Sequence, residues 1–386
     1  MQKKGNCALL ALFFHRRKQK MSQLLKQQIH YECNRLGAAR SRVSSPCPPS
    51  EDFERYCSWL HSGMADMEFL AKNKEPRRDV RIFWPPTRSV ICVAIPFDCG
   101  PWTEKERAEG LLSSPLHGYI ASYAKGRDYH IKVYTLLKEL GDQLSLWTKG
   151  KAEHRICVDT APILERSLGS ACGLGRIGRN KCLIVPDVGS RVVLGELLLN
   201  IDLPSDPPLE GDPCGECNLC VKSCPTGALT ESGELISSHC LSYLTIENKK
   251  IIQSTTLIKA IENRLFGCDT CLSVCPHNQL PISLTGPLGA DFWSRNKPKD
   301  LFLNNSSAWI DLGRLAKLGS GEIRRTFQVT SMSRLSASTI RRNLCVVLAN
   351  SHSPDATSIL KSFLNSPSKI VRETAESLHK SKNTFL

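Results

Sequence analysis

Cys214-Gly-Glu-Cys217-Asn-Leu-Cys220-Val-Lys-Ser-Cys224-Pro225 and Cys268-Asp-Thr-Cys271-Leu-Ser-Val-Cys275-Pro276 are the stretches whose reading decides this chain. A 4Fe-4S cubane takes four thiolates, and in a C-x2-C-x2-C-x3-C-P run the last cysteine crosses to the other cluster. The second run is one thiolate short, and Cys240, lying between the two runs, supplies it. The spacing therefore assigns Cys214, Cys217, Cys220 and Cys275 to one cluster, and Cys224, Cys240, Cys268 and Cys271 to the other. Structural zinc also favours CxxC pairs, but neither a four-cysteine zinc site nor a zinc ribbon requires the x2-x2-x3-Pro spacing.

Working outward, 386 residues give room for two or three domains with a sizeable core beside the cluster module. The remaining cysteines follow no framework spacing, and eight ligand thiolates demand a reducing compartment, so disulfides are not expected and a cytoplasmic location is. The net charge of +14 is concentrated at the two ends, with residues 1 to 50 contributing +9 and residues 331 to 386 contributing +5. Solvated basic tails account for such a distribution as well as phosphate contacts do, so charge permits an RNA partner without demonstrating one. No run reaches the roughly 18 to 20 apolar residues of a membrane span. The apolar run Cys7 to Phe14 lies between Lys3-Lys4 and His15-Arg16-Arg17-Lys18. It reads as a weak organelle-targeting sequence or as an extension ahead of a start at Met21, and residues 1 to 20 are expected to be disordered.

Residues 22 to 37 read as a helix ended by Gly37, and a second helix is expected over about 51 to 72. Ser89-Val-Ile-Cys-Val-Ala-Ile95 suits a strand buried on both faces, with further strands at Arg155 to Val158, Cys182 to Val185 and Val192 to Asn200. Helical stretches at 129 to 147 and 161 to 171 alternate with them, which favours an α/β domain over 21 to 205. The Pro- and acid-rich segment 204 to 213 marks a boundary, and the cluster module is placed at 206 to 285. Pro281, Pro287 and Pro298 open an irregular stretch. From 286 to 386 helix-spaced apolar residues, with turns at Ser353-Pro354 and Ser366-Pro367, resemble one HEAT-like repeat and a fragment. A plain helical cap on the core reads equally well.

Gly173-Leu-Gly175-Arg-Ile-Gly178 matches G-x-G-x-x-G but follows a helix and leads into a strand, the reverse of a dinucleotide fingerprint. Three close glycines still imply close backbone approach to something large, such as a bulky planar cofactor. Clusters move single electrons and perform no bond chemistry, so a second cofactor or the substrate is expected in the α/β domain. Asp159, in Val158-Asp159-Thr-Ala-Pro162, sits at a strand end, and Asp128 precedes the helix starting at Tyr129. Each is a candidate for proton chemistry, and each reads equally as a helix cap.

Tyr123-Ala-Lys-Gly-Arg-Asp-Tyr-His130, Val158 to Arg166, Gly173 to Gly178, Leu194-Gly-Glu-Leu-Leu198, Cys214 to Ala228, Cys240 to Glu247 and Gly267 to Pro276, in that order, resemble epoxyqueuosine reductase. The resemblance runs from about residue 22 to the C-terminal helices. It implies a cobalamin-binding α/β domain, as in reductive dehalogenases, joined to a ferredoxin-like module with two 4Fe-4S clusters and an α-helical HEAT-like C-terminal region. The implied reaction is reduction of epoxyqueuosine to queuosine at the tRNA wobble position, with the tRNA anticodon stem-loop as partner and an external electron donor. By the same resemblance Asp159 corresponds to the proton donor, and Arg78, Leu183, Ser242 and Asp269 fall in stretches that look like the cobalamin pocket. An apolar cofactor wall would hold Asp159 protonated near neutral pH.

Arg176 stands where an aromatic residue is common in that family, and its guanidinium is expected to contact a phosphate or the corrin side chains. Arg341, Arg342, Lys361, Lys369 and Arg372 are the candidate RNA surface. The rivals are a corrinoid reductive dehalogenase acting on a small molecule and a non-catalytic electron-transfer ferredoxin. Arg16-Arg17 follows the apolar run instead of preceding it, which argues against twin-arginine export and hence against the first. The second leaves the α/β domain without a task.

Overall fold

The uncharged run Ser89 to Pro96 forms the middle of the main sheet. The computed structural model describes residues 3 to 97, 116 to 279 and 309 to 384, with side chains from 19 to 97, 116 to 279 and 309 to 380. The irregular stretch expected around Pro281, Pro287 and Pro298 lies outside the described residues. Among those residues the strands are β1 (Arg40–Ser44), β2 (Ser89–Pro96), β3 (His117–Ile120), β4 (His154–Cys157), β5 (Arg176–Ile177), β6 (Leu183–Ile184), β7 (Val192–Leu199), β8 (Arg264–Phe266) and β9 (Trp309–Asp311). The main sheet has the order β1-β2-β7-β4. A second sheet has the order β8-β3-β9, and β5 pairs with β6.

Every pairing in the main sheet is antiparallel, with Ser89 opposite Leu199 and Pro96 opposite Val192 in its central pair. This corrects the α/β expectation. Helices and strands do alternate along the chain, but alternation does not fix strand direction, and β7 returns beside β2 without a parallel crossover. The apolar run reads as it would in a parallel strand because both faces are covered. On one face Ile91, Val93, Leu197 and Leu199 meet Ile29 and Cys33 of helix Lys3–Arg35 and Val133 and Leu137 of helix Tyr129–Trp147. On the other, Val90, Cys92 and Leu198 meet Val80, Leu168 and Leu183.

Three element boundaries differ from the sequence reading. The first helix begins at Lys3, not near 22, so the backbone of residues 3 to 20 is helical where disorder was expected. No proline interrupts it, and a helix anchored by Ile29 and Cys33 propagates backward at little cost per residue. The helix expected over 51 to 72 divides into Ser50–His61 and Glu68–Lys72 around Gly63, whose φ is 77°. Helix Glu165–Ala171 starts late because residues 158 to 164 form a tight loop. No described helix is long and apolar enough to cross a membrane.

The second core joins distant parts of the chain. Ile120 and Ala124 around β3, Leu241, Leu244 and Phe266 from the cluster segment, and Ile340, Leu344, Val371 and Ala375 from the last helices pack as one cluster. Ser353 takes the N-cap position of helix Pro354–Ser362 without a side-chain hydrogen bond, and Pro354 opens the helix, as the sequence turn implies.

Arg342 corrects the expected RNA surface. It is 0% exposed, and its guanidinium donates to the carbonyls of Leu244, Asn248 and Lys250. Burial pushes it down to about 10. Arg341 donates to Leu318 O and Ser320 Oγ, and Arg372 to Ser366 O. Of the five cations, Lys361 and Lys369 keep the exposure a phosphate contact needs. Replacing Arg342 by Met should leave three carbonyls unsatisfied and lower stability by about 2 to 4 kcal/mol, measured by urea unfolding, without reporting on RNA binding at all.

Candidate functional site

The cluster segment is built of short elements joined by turns. Short helices Leu219–Lys222 and Thr270–Ser273 each sit inside a cysteine run. All eight assigned cysteines are free and at least partly covered. The thiols act on one another in two sets. Burial raises Cys220 and Cys275, and beyond burial Cys220 feels Cys214 and Cys275, while Cys275 feels Cys214 and Cys217. Burial likewise raises Cys240 and Cys271, with Cys240 feeling Cys268 and Cys224, and Cys271 feeling Cys268 and Cys240. Amides aim at sulfur throughout. Burial alone would raise the Cys224 thiol, yet the N–H groups of Thr226, Ala228 and Leu229 bring it below its ordinary value, and Arg179 N donates to Cys214 Sγ at 3.3 Å. Such a surrounding favours thiolate ligands and fits the two quartets. Cys182, left unassigned by spacing, acts on Cys271 and on its other side feels Cys275, Cys240 and Cys220, so a ninth thiol lies between the quartets.

Asp159 occupies the centre of a γ-turn closed by the Thr160 N–H on Val158 O, with φ at 51°. A non-glycine residue held there costs roughly 1 to 3 kcal/mol and persists only where neighbours enforce it. They do so from both ends. Its N–H donates to Glu165 Oε1 at 2.7 Å, and its Oδ2 accepts from Arg334 Nη1 at 3.0 Å and lies 3.5 Å from His130 Nε2. The side chain keeps 39% exposure. Arg334 reaches on to Glu247 Oε1 at 3.4 Å.

The electrostatics reverse one expectation. Burial would raise the Asp159 carboxyl, but the His130 hydrogen bond, the Arg334 charge and the Tyr129 hydroxyl hold it below the usual carboxylate range. Asp159 is therefore ionised at neutral pH, not protonated. Burial would lower His130 too, yet the hydrogen bond to Asp128 and the Asp159 carboxylate 3.5 Å away raise it to about 9, so the imidazole is protonated at neutral pH. Asp128 meets His130 at two points. It caps helix Tyr129–Trp147 by accepting from His130 N at 3.0 Å, and the same Oδ1 lies 2.8 Å from His130 Nδ1.

The four residues expected to hold a corrin are placed differently from one another. Arg78 ends helix Glu75–Arg78 on the surface, and Ser242 is half-buried in helix Leu241–Ile246. Asp269 is buried and accepts from the Tyr119 hydroxyl and, at 2.7 Å, from Ser122 N. Leu183 is buried in β6. No hydrogen bond or ion pair joins any two of the four among the described residues. The Gly-rich loop is also explained without a cofactor. A Cβ on Gly173 would lie 2.4 Å from Pro207 O, one on Gly175 2.6 Å from Ile184 O, and one on Gly178 2.5 Å from Ile184 Cδ1. The close approach is to the chain itself. Arg176 donates to Leu209 O in the linker.

Tyr123 connects the two chemistries. Its hydroxyl is raised chiefly by burial, and Arg334, Asp159 and Asp269 all act on it, while Asp269 in turn acts on Cys271. Its ring meets Tyr129 at 5.8 Å and Phe266 at 6.1 Å. Arg334 carried no sequence signal, since it is 175 positions from Asp159 and in no motif. Glu196 carried one that is easily passed over, as the single charged residue in the otherwise apolar run of β7.

Residues 213–278 match the family described as 4Fe-4S double cluster binding domain, and residues 77–160 that described as Epoxyqueuosine reductase QueG, DUF1730. The epoxyqueuosine reductase of Vibrio cholerae serotype O1 is 34% identical over 310 residues, which is 80% of this chain and 79% of that protein. That of Gloeobacter violaceus is 35% identical over 311 residues, 80% of this chain and 90% of that protein. A solved epoxyqueuosine reductase carrying a tRNA-Tyr epoxyqueuosine-modified stem loop aligns with a TM-score of 0.79 at 25% identity, over 93% of this chain and 90% of that one.

The His130 arrangement makes stability depend on pH in a stated direction. A folded value near 9 against an ordinary 6.5 contributes stability in full below 6.5 and loses it as pH rises through 9. The thermal midpoint should therefore fall across that window, and His130→Gln should flatten the fall while lowering the midpoint at pH 6. A His130→Gln curve parallel to the native one would place the proton elsewhere.

Proposed function

Since this chain belongs to the epoxyqueuosine reductase family, we propose that its described site reduces epoxyqueuosine to queuosine on a tRNA anticodon stem-loop, the last step of queuosine synthesis. The chain is an oxidoreductase. The observation that carries the reading is the adjacency of Asp159, His130 and Arg334 to the Cys224, Cys240, Cys268 and Cys271 quartet through Tyr123 and Asp269. A bare electron-carrying ferredoxin would have no use for that site.

Two 4Fe-4S clusters are held by the two quartets and refilled by an external donor, which suits the reducing cytoplasm. Cobalamin, when bound, supplies the carrier that turns single-electron delivery into two-electron reduction of the epoxide. Ser242 and Arg78 keep surface that a corrin can touch, whereas Asp269 and Leu183 are buried. The functional division is 21–205 for cobalamin and catalysis, 206–285 for the clusters and 286–386 for the HEAT-like helices.

Epoxide and two electrons with two protons give alkene and water, so the chain must deliver protons to the departing oxygen. Asp159, open at 39% exposure, is the group that meets it. Because Asp159 rests ionised, His130 recharges it across the 3.5 Å separation, and Asp128 orients the imidazole through Nδ1. Arg334 holds the carboxylate and balances its charge between turns.

Anaerobically reconstituted protein, with and without cobalamin, is to be incubated with an epoxyqueuosine-containing stem-loop and the nucleoside followed by mass. Loss of one oxygen only when cobalamin is present is expected, and reduction without it would remove the corrin from the scheme. Asp159→Asn should lower turnover by roughly 10² to 10⁴ while the clusters still reduce added cobalamin. Asp128→Asn should also lower it, since its tie to His130 is more than a helix cap. The native chain should hold about eight irons, and Cys240→Ala about half that number, by iron analysis.

A further inference from the structure

Directly behind the loop that carries Asp159 lies an acid pair that the reaction scheme leaves without a task. Glu196 stands in the middle of β7, with Cys92 of β2 and Cys157 of β4 as its cross-strand partners. It is 1% exposed, and no cation pairs with it among the described residues. Its Oε2 has no hydrogen-bond partner there. Glu165, the first residue of helix Glu165–Ala171, packs on the same face of the sheet and is hydrogen-bonded to Glu196. Its Oε1 accepts the Asp159 N–H at 2.7 Å.

We propose that Glu165 and Glu196 share one proton and act together as the positioning pair for Asp159, Glu196 fixing the Glu165 carboxylate and Glu165 holding the Asp159 amide in its left-handed γ-turn. This rests on reading Asp159 as the group that meets the substrate. Two carboxyls in contact within an apolar layer do not both ionise. Glu196, among Cys92, Cys157 and Cys172, retains the proton and donates it to Glu165. Glu165 is raised to about 7, by burial first and then by Asp159, while Arg166 on its own helix and the Glu196 hydrogen bond act the other way.

The consequence is local. Asp159 can present Oδ2 to Arg334 and His130 only in the strained turn, and the side-chain group that holds the Asp159 amide is the Glu165 oxygen. An ionised carboxylate accepts an amide hydrogen more strongly than a neutral acid. The turn should therefore tighten as pH rises through about 7 and loosen below it.

Amide hydrogen exchange over residues 158 to 164, corrected for intrinsic pH dependence, reads the anchor without cofactor or substrate. The native chain should show a step in protection near pH 7. Glu165→Ala should exchange about tenfold faster in this segment and lose about tenfold in kcat with KM for the stem-loop nearly unchanged, as expected of a misplaced reacting group. Glu165→Gln, whose amide oxygen still accepts, should recover most of the protection but lose the pH step. Glu196→Gln should keep the anchor and move the step to higher pH, because the acid hydrogen bond that favours the Glu165 carboxylate is replaced by a weaker amide one. Should Glu165→Ala not fold, Glu196→Gln carries the test alone. Native-like exchange in Glu165→Ala, or a step left at the same pH in Glu196→Gln, overturns the pair. Normal turnover by Asp159→Asn beside altered exchange would overturn the role of Asp159 instead, and leave the anchor standing.

Discussion

A stretch of chain as rich in cysteine and turn as residues 213–278, which match a 4Fe-4S double cluster binding domain, has few side chains left with which to build a core, and this shortage shapes the molecule. Between Cys214 and Cys275 the helices are one or two turns long, too short to persist by themselves. The segment is held because its apolar remainder is buried in a core made elsewhere. Leu241, Leu244, Leu265 and Phe266 pack with Ile120 on one side and with Leu344 and Val347 on the other. Arg342 and Asn343 reinforce the same junction from the helix Ala337–Asn350, donating to the carbonyls of Leu244, Thr245 and Leu265. The C-terminal helices thus serve the clusters first, whatever else they bind.

The same arrangement brings the acid site together. Asp128 and His130 begin one helix, Asp159 lies in the loop after β4, Glu247 follows a helix of the cluster segment and Arg334 comes from the C-terminal part. Each charge is tolerable only because the others are present. Arg334 and His130 keep Asp159 ionised against burial, and the two aspartates keep His130 protonated. Just behind them burial outweighs the Arg166 charge at Glu165, and pushes both Glu165 and Glu196 upward. Two carboxyl environments of opposite sense thus adjoin, one favouring charge and one favouring a retained proton, which is the usual means by which a site separates its acids from its bases.

What could be read from residues alone had a local physical cause. Cysteine spacing reports ligand geometry because neighbouring thiolates must reach one cubane. The buried strand at Ser89 to Pro96, the helix Tyr129–Trp147 and its Asp128 cap follow from short-range burial and hydrogen bonding, and the structure places them as read. Asp159 stood out by position at a strand end.

Quantities that depend on distant partners could not be read in this way. Strand direction in the main sheet depends on how connections pack, and it proved antiparallel. The charge on Asp159 is set by Arg334, 175 positions away, and by an imidazole whose own state Asp128 controls. Arg342 reads as a surface cation until its three carbonyl partners are seen, and the Gly173 to Gly178 loop reads as a ligand cradle until Pro207 and Ile184 are found pressed against it. The sequence by itself determined the cysteine spacing of a double-cluster module, the principal helices and strands, and the family resemblance, because each is written in residue types and spacing. Only the tertiary structure decided strand direction, which cations are buried and which acid holds its proton, because burial and through-space charge are properties of neighbours that the chain brings together by folding.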